Sequence, residues 1–518
     1  MSWATSRTAS EPLLVGLDVG TTGCKCLVFT KDGRVVSSAY AEYRLYHRRP
    51  SWSELDPNEV WQAILRVLRG AVGSLGENAR AIQAVSTSVL GEAFFLVDEE
   101  AQPLCWSMTT FDARAAAQVR WWEENLGSRE MYSRTGQPLS GDMPIYTLQK
   151  AQWLRENELS TWAKAKRLVC WQDYVNLKLC GVPVMDYSLA SRTMMFNIRR
   201  RKWDAEILRM AGLDECLLSD VAPSGTIVGE VSSSGASETG LPRGSLVVAG
   251  GHDQPCGALG VGLLQPGPVM DATGTVECVA AVQEELKLTE EMRLQSFSVQ
   301  CYVEGDRYLV FGFNPSAGVI LRWFRDNFGQ LEKTEAEMKK VDAYDLLIQQ
   351  AERAPPGSLG LMMFPFFEGS GSPRFRRDVS GVLVGLTLAQ GRGEVIRSIL
   401  EGVTLELRNI VEALEAHVAE ARELRAIGGA AKSRFWLQLK ADVTGRPIVL
   451  PEVQEAAALG AAMLAGVGAG VYKSFEDAAE HVYAVKEAFS PRQESVRFYE
   501  QLYARYKKLH EKMHSLML

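Results

Sequence analysis

Asp18 precedes Gly20-Thr21-Thr22-Gly23 in an otherwise apolar stretch. An acid in this setting can hold a hydrated magnesium ion, while the turn wraps N–H groups and hydroxyls around phosphates. The glycines let backbone amides approach an oxyanion closely. The same residues also make an ordinary polar hairpin turn. Thr273-Gly274-Thr275 is a second turn of this kind and could cradle phosphates from the opposite side. Gly428-Gly429-Ala430, at the mouth of a helix, leaves room for a flat ring such as a nucleoside base. A close strand–helix contact accounts for it equally well. Asp253 follows an apolar strand and Gly250-Gly251-His252. A carboxylate at a strand end of an α/β protein often faces the functional crevice, where it would serve as a general base; an Asp before a helix is also a common cap. A base of this type contributes about 10²–10⁴-fold to a rate, and charge neutralisation at the phosphates contributes more.

These residues sit at the ends of short strands. Leu13–Leu17, Cys24–Phe29 and Arg34–Tyr40 read as a β-meander, with Asp32-Gly33 as its second turn. Asp56-Pro57 starts a helix with Val60, Ile64, Val67 and Leu68 on its apolar stripe. Strands follow at Ala84–Ser88 and Ala93–Val97. Near residue 245 the pattern restarts: strand, glycines, Asp253, then a strand–turn–strand around Thr273. Each half therefore opens with a hairpin whose turn is polar. Alternation of strands and helices throughout predicts an α/β protein. The last segment carries Val496, Tyr499, Leu502, Tyr503, Tyr506 and Leu509 at helical spacing, a core-facing stripe.

With 518 residues the chain can bury two large cores. A net charge of -7 argues against nucleic acid as the partner. No apolar run reaches the length of a membrane span, and the Ala- and Gly-rich 456–471 stretch suits close packing instead. The polar Met1–Pro12 segment carries no targeting pattern and reads as a frayed tail. Nine cysteines without metal-ligand spacing fit free thiols in a reducing cytoplasm.

Taken in order, these motifs resemble the FGGY carbohydrate kinases, the family of xylulokinase, gluconokinase and glycerol kinase. The resemblance runs from about Leu13 to about Gly470 and rests on an ordered set. It comprises Gly16-Leu17-Asp18-Val19-Gly20-Thr21-Thr22, Trp52-Ser53-Glu54-Leu55-Asp56-Pro57, Phe111-Asp112-Ala113-Arg114, Asp173-Tyr174 with Asp186-Tyr187-Ser188, Gly250-Gly251-His252-Asp253, Gly274-Thr275, Gly428-Gly429-Ala430-Ala431-Lys432-Ser433, and Glu455 with Ala458-Leu459-Gly460. The resemblance implies two actin-like (ribonuclease H-like) α/β domains, residues 1–256 binding sugar and 257–518 binding nucleotide, with an ATP and sugar cleft between them. It implies ATP and Mg2+ as cofactors, Asp18 as the metal ligand and Asp253 as the catalytic base. Asp18, Gly20, Thr21, Thr22 and Lys25 would serve the phosphates, Gly274 and Thr275 the second phosphate loop, and Gly428, Gly429, Ala430 and Ser433 the adenosine. Gly91, Glu92, Asp112, Asp253 and Gln254 would face the sugar, and Glu92 would repel an acidic substrate unless a cation intervenes. The implied activity is phosphorylation of a neutral sugar, a xylulose-like ketopentose ahead of a glycerol- or erythritol-like polyol. A silent sugar sensor on the same fold is the competing class, and an actin- or chaperone-like ATPase ranks behind both. The implied setting is cytoplasmic, with a small-molecule partner, no nucleic acid and no membrane; a homodimer is compatible with it.

Overall fold

The computed structural model describes residues 11–139, 141 and 144–516. The segment read as a frayed tail lies almost wholly outside them. The chain divides into two compact units, neither continuous in sequence. The first comprises Met1–Leu264, Gln300–Tyr308 and Glu455–Tyr483; the second comprises Gln265–Val299, Leu309–Gln454 and Ala484–Leu518. The division expected at 256/257 falls inside the helix Asp253–Gly260. That helix stays whole with the first unit because its residues pack backbone-to-backbone against the helix Ala456–Gly468.

The first unit is built on strands β1 (Leu13–Val19), β2 (Gly23–Thr30), β3 (Val35–Glu42), β4 (Ile82–Val89), β5 (Ile227–Glu230) and β6 (Leu246–His252). Their order across the sheet is β5-β6-β4-β1-β2-β3. The meander β1-β2-β3 is antiparallel, β1, β4 and β6 are parallel neighbours, and β5 closes the edge antiparallel to β6. Central β1 is covered on both sides, so it reads as an apolar run; edge strand β3 alternates in exposure. Asp56 caps the helix Pro57–Gly73 by accepting from Asn58 N–H, and Ser37 Oγ donates to Ala71 O across the contact with β3. The 456–468 helix approaches the sheet without intervening side chains. A Cβ on Gly16 would stand 2.0 Å from Ala458 O, and one on Gly460 would stand 1.9 Å from Cys256 O.

The second unit repeats this plan. Its strands β7 (Pro268–Thr273), β8 (Glu277–Gln283), β9 (Tyr308–Asn314), β10 (Glu423–Gly428), β11 (Ile448–Pro451) and β12 (Val485–Phe489) lie in the order β9-β8-β7-β10-β11-β12, with a seventh strand, Ser298–Cys301, outside β9. β7 and β8 form an antiparallel hairpin, β7, β10 and β11 are parallel, and β12 runs antiparallel at the edge. The restart near residue 245 is thus a repeat of topology. Tyr499, Tyr503 and Tyr506 of the helix Gln493–Leu516 are buried in this unit's core, against Leu400 and Val403 of the helix Arg392–Glu415 among others.

Candidate active site

In the first unit the parallel register aligns Asp18 with Ser88, Gly251 with Ser88 and His252 with Val89. The carboxyl ends of β1, β4 and β6 therefore deliver Asp18, Gly91-Glu92 and His252-Asp253 to one end of the sheet, where α/β proteins bind ligands. Ser88 Oγ donates to Asp18 Oδ1 over 2.9 Å. The following turn is closed by Gly20 N–H donating to Gly23 O at 3.0 Å, and Tyr43 Oη donates to both carbonyls. Thr21 is half-buried and Thr22 exposed on its rim. Lys25 leaves β2 beside this turn and pairs with Glu455 at 2.6 Å. Burial, reinforced by the nearby charge of Asp253, pushes the Asp18 carboxyl up to about 7, against the opposing pull of Ser88 and Lys25.

Asp253 opens its helix, and its side chain keeps 31% exposure. Glu92 is 3% exposed and sits in a left-handed conformation, φ +60°, that a non-glycine residue adopts only where its surroundings hold it. Here they do. Arg192 pairs with Glu92 Oε1, Thr110 Oγ1 donates to Oε2 at 2.7 Å, and Thr147 Oγ1 donates to its carbonyl at 3.0 Å. Arg192, itself 5% exposed, also donates to Gln137 Oε1 at 2.6 Å and lies over the Tyr146 ring. Gln254 Oε1 is buried without a donor. Asp112, expected at the sugar, is fully engaged: Ser53 N–H donates to Oδ2 at 2.8 Å, and Arg114 grips both oxygens at 2.8 and 2.7 Å. Arg114 reaches on to Glu54 and stacks on Trp52, so Asp112 braces the loop that carries the Trp52-Ser53-Glu54 motif.

In the second unit Thr273 pairs in register with Gly428, so the hairpin turn and the glycine pair share one end of that sheet. Gly428 has φ +87°, and a Cβ there would stand 2.5 Å from Thr273 O; this approach requires glycine. Gly274 O accepts from Gly318 N–H at 3.0 Å, and Thr275 Oγ1 accepts from Arg322 at 2.9 Å. Gly428 and Gly429 are exposed and Ala430 buried. Ser433 Oγ accepts from Trp436 N–H and so caps the helix Arg434–Thr444. Below the turn, Lys440 is buried between Asp271 (2.5 Å), Thr273 (2.5 Å) and Glu277 (2.9 Å). Burial raises Glu277 to about 7, with Lys440 opposing the shift.

The model of the FGGY family of carbohydrate kinases, N-terminal domain, matches residues 13–260, and the C-terminal domain model matches 270–469. The chain belongs to the FGGY family of carbohydrate kinases. Among curated FGGY relatives, the gluconokinase of Bacillus subtilis is 31% identical over 492 residues, 94% of each chain. The xylulose kinase of the same organism is 28% identical over 497 residues, 96% of each chain. The solved structure of ligand-bound xylulose kinase from Lactobacillus acidophilus superposes with a TM-score of 0.87 at 21% identity, covering 97% of this chain and 98% of that one. The FGGY kinases share an actin-like, ribonuclease H-like fold, and the duplicated sheet described above is that fold. The protein is accordingly a carbohydrate kinase, with ATP as the donor that membership in the family implies.

Several residues of this FGGY site escaped the sequence reading. Arg192, Gln137 and Tyr146 stand far from Glu92 in the chain, and only the fold brings them to it. A faint signal existed for Arg192, an isolated charge in the apolar run just after Asp186-Tyr187-Ser188. Glu455 was recognised as part of a motif without a partner; Lys25 is that partner.

Proposed function

We propose that this kinase transfers the γ-phosphoryl group of ATP to a hydroxyl of a neutral ketose, a xylulose-like ketopentose, with Asp253 as general base. The carrying observation is the partly exposed Asp253 carboxylate at the same sheet end as the buried, fully held Glu92. Asp253 accepts the hydroxyl proton as the sugar oxygen attacks phosphorus and ADP departs. Glu92, fixed by Arg192 and Thr110, and Gln254, with its unpaired oxygen, offer acceptors for sugar hydroxyls. Gly91 leaves room for the neighbouring imidazole of His252. The Gly20–Gly23 turn with Lys25, and the Gly274–Thr275 turn, are assigned to phosphates; Gly428, Gly429 and Ala430 are assigned to the nucleoside, with Ser433 shaping that site as a cap.

Among the described residues no group of three or more His, Cys, Asp and Glu forms a metal cage. The single Asp18 carboxylate beside the Gly20–Gly23 turn suits magnesium, which keeps most of its waters and binds through one or two carboxylates and the substrate phosphates. Asp18 would hold it, and its charge would neutralise the phosphates when bound. The raised Asp18 carboxyl is consistent with a group that gains from a cation.

A second reading, a sugar acid, draws support from Arg192. Its pairing with Glu92 supplies the intervening cation without which Glu92 would repel a carboxylate. ADP release measured over ketopentoses, gluconate, glycerol and erythritol decides between them. The first reading expects kcat/KM highest for a ketopentose; a preference for gluconate overturns it in favour of the second. Asp253→Asn is expected to lose about 10²–10⁴-fold or more in kcat while retaining nucleotide binding; an active variant removes the base assignment.

A further inference from the structure

The Gly274–Thr275 turn and the Gly428-Gly429 pair end neighbouring strands of the second unit, and one buried side chain ties together the elements that carry them. Thr273 and Glu277 are the cross-strand pair at the mouth of the β7–β8 hairpin. Asp271, two residues before Thr273, lies on the same face of β7. Lys440 reaches that face from the helix Arg434–Thr444. Its ammonium donates to Asp271 Oδ2 at 2.5 Å, Thr273 Oγ1 at 2.5 Å and Glu277 Oε1 at 2.9 Å. A lysine has three such donors, so all are spent. The Thr273 hydroxyl proton is in turn within reach of Asp271 Oδ1 at 2.8 Å and Glu277 Oε1 at 2.9 Å. On its other side the ammonium faces the buried Trp436 ring, 5.7 Å from its centroid.

This cluster is dry, with Lys440 at 1% exposure and both carboxylates at 0%. Burial works against the lysine charge, but Asp271 and Glu277 outweigh it and hold the ammonium above the ordinary lysine range. Neutral residues of similar volume stabilise a fold about as well as a buried ion set, so the charges are better explained by what they align. Three fixed acceptors define one place for the ammonium, and thereby set the hairpin mouth against the helix. Both ends of this connection lead to the surface. Gly274 and Thr275, directly beyond Thr273, are exposed, and their carbonyls are held from the far side by Gly318 N–H at 3.0 Å and Ala317 N–H at 3.2 Å. Gly428 and Gly429 are exposed as well, next to Thr273 O, and lead through Ser433 into the helix that bears Lys440.

We propose that Lys440 is a positioning residue of nucleotide binding: it fixes the spacing between the Gly274–Thr275 turn and the Gly428-Gly429 loop, and with it the place of the phosphates relative to the nucleoside. The inference rests on the reading that assigns the turn to phosphates and the glycine pair to the nucleoside. Lys440 itself touches neither ATP nor sugar. It acts through Thr273 and Glu277, the two stems of the turn, and its effect falls on the nucleotide because both loops that it aligns serve the nucleotide.

The test uses the full-length protein with ATP, ADP and its best sugar from the substrate panel. Lys440→Met keeps the length of the side chain and removes the ammonium. Its Kd for ADP and KM for ATP should rise about 10-fold, part of the roughly 100-fold that a 1 Å misplacement can cost, with KM for sugar within about twofold. A triple variant, Asp271→Asn, Glu277→Gln and Lys440→Met, removes the buried charges together. It should regain the melting temperature that Lys440→Met loses, but not the nucleotide affinity, because the three-way tie is still missing. Wild-type ADP affinity in Lys440→Met overturns the proposal, as does an equal rise in KM for ATP and for sugar. Recovery of affinity along with melting temperature in the triple variant also overturns it, since Lys440 would then serve stability alone. Should Lys440→Met fail to fold, wild-type ADP affinity in the triple variant overturns the proposal instead. Gly274→Val, which crowds the turn itself, is measured in parallel. Unchanged nucleotide affinity there refutes the assignment of the turn to phosphates, whereas weakened affinity there beside wild-type affinity in Lys440→Met refutes only the role of Lys440.

Discussion

Asp18 answers to two opposed demands. In its proposed role beside phosphates and a metal it should be charged, yet burial and Asp253 push its carboxyl up from 3.8 to about 7. The folded state therefore binds the proton more tightly than the unfolded chain. The stability this contributes is complete below about pH 4 and is lost as pH rises through about 7. Asp18→Asn, which cannot ionise, should escape that loss. Between pH 5 and pH 8, without nucleotide or metal, the wild type should lose about 1–2 kcal/mol relative to the variant, a range reduced to allow for the partial exposure of Asp18. Thermal unfolding at the two pH values checks this; parallel losses would show that Asp18 is not strained. The same variant should be inactive, so the site gives up stability for function. Asp18, Asp253 and the glycine-bearing turns were legible in the sequence because their chemistry is local: acid, glycine and hydroxyl within a few residues. The partners that hold the neighbouring side chains, Arg192 at Glu92 and Gln300 at His252, lie 100 and 48 positions away and leave no local pattern.

Between elements, the determining contacts are backbone against backbone. Gly16, Gly260 and Gly460 let the 456–468 helix lie directly on β1 and on the helix that begins with Asp253. Gly460→Ala would place a methyl 1.9 Å from Cys256 O, three residues along the chain from Asp253. It should destabilise by about 1–3 kcal/mol or more through overpacking, and lower kcat as well because the helix that opens with Asp253, the proposed base, must shift. Gly73→Ala is the control: a Cβ there meets nothing within 4 Å, so it should be neutral or stabilise by up to about 1 kcal/mol. Chemical denaturation with steady-state kinetics tests the pair, and equal behaviour of the two would contradict the contact. The strands of the opening meander and the small-residue packing of the 456–471 stretch follow from the sequence, since burial and side-chain size are written there. The surface that this stretch meets does not, because backbone carbonyls carry no sequence signature.

For the whole molecule, sequence order and spatial order differ. The first unit takes its main segment from the first half of the chain but needs Glu455–Tyr483 to be complete. Leu459, Met463 and Leu464 of that late segment are buried, and together contribute about 5–9 kcal/mol, comparable with the net stability of a domain at about 5–15 kcal/mol. A fragment of residues 1–264 should therefore lack a cooperative thermal transition and bind a hydrophobic dye; a sharp melt would overturn this. The two-domain architecture was visible in the restart of strand and turn patterns near residue 245. The return of the chain to the first unit was not, because a 13-residue helix looks alike whichever sheet it covers. The discontinuity also sets a schedule for biosynthesis. Roughly 190 residues separate Leu264 from Glu455, so at about 5–20 residues per second the ribosome needs about 10–40 s to supply the missing piece. Through that interval the nascent first unit must wait with an open sheet, a ready client for chaperones.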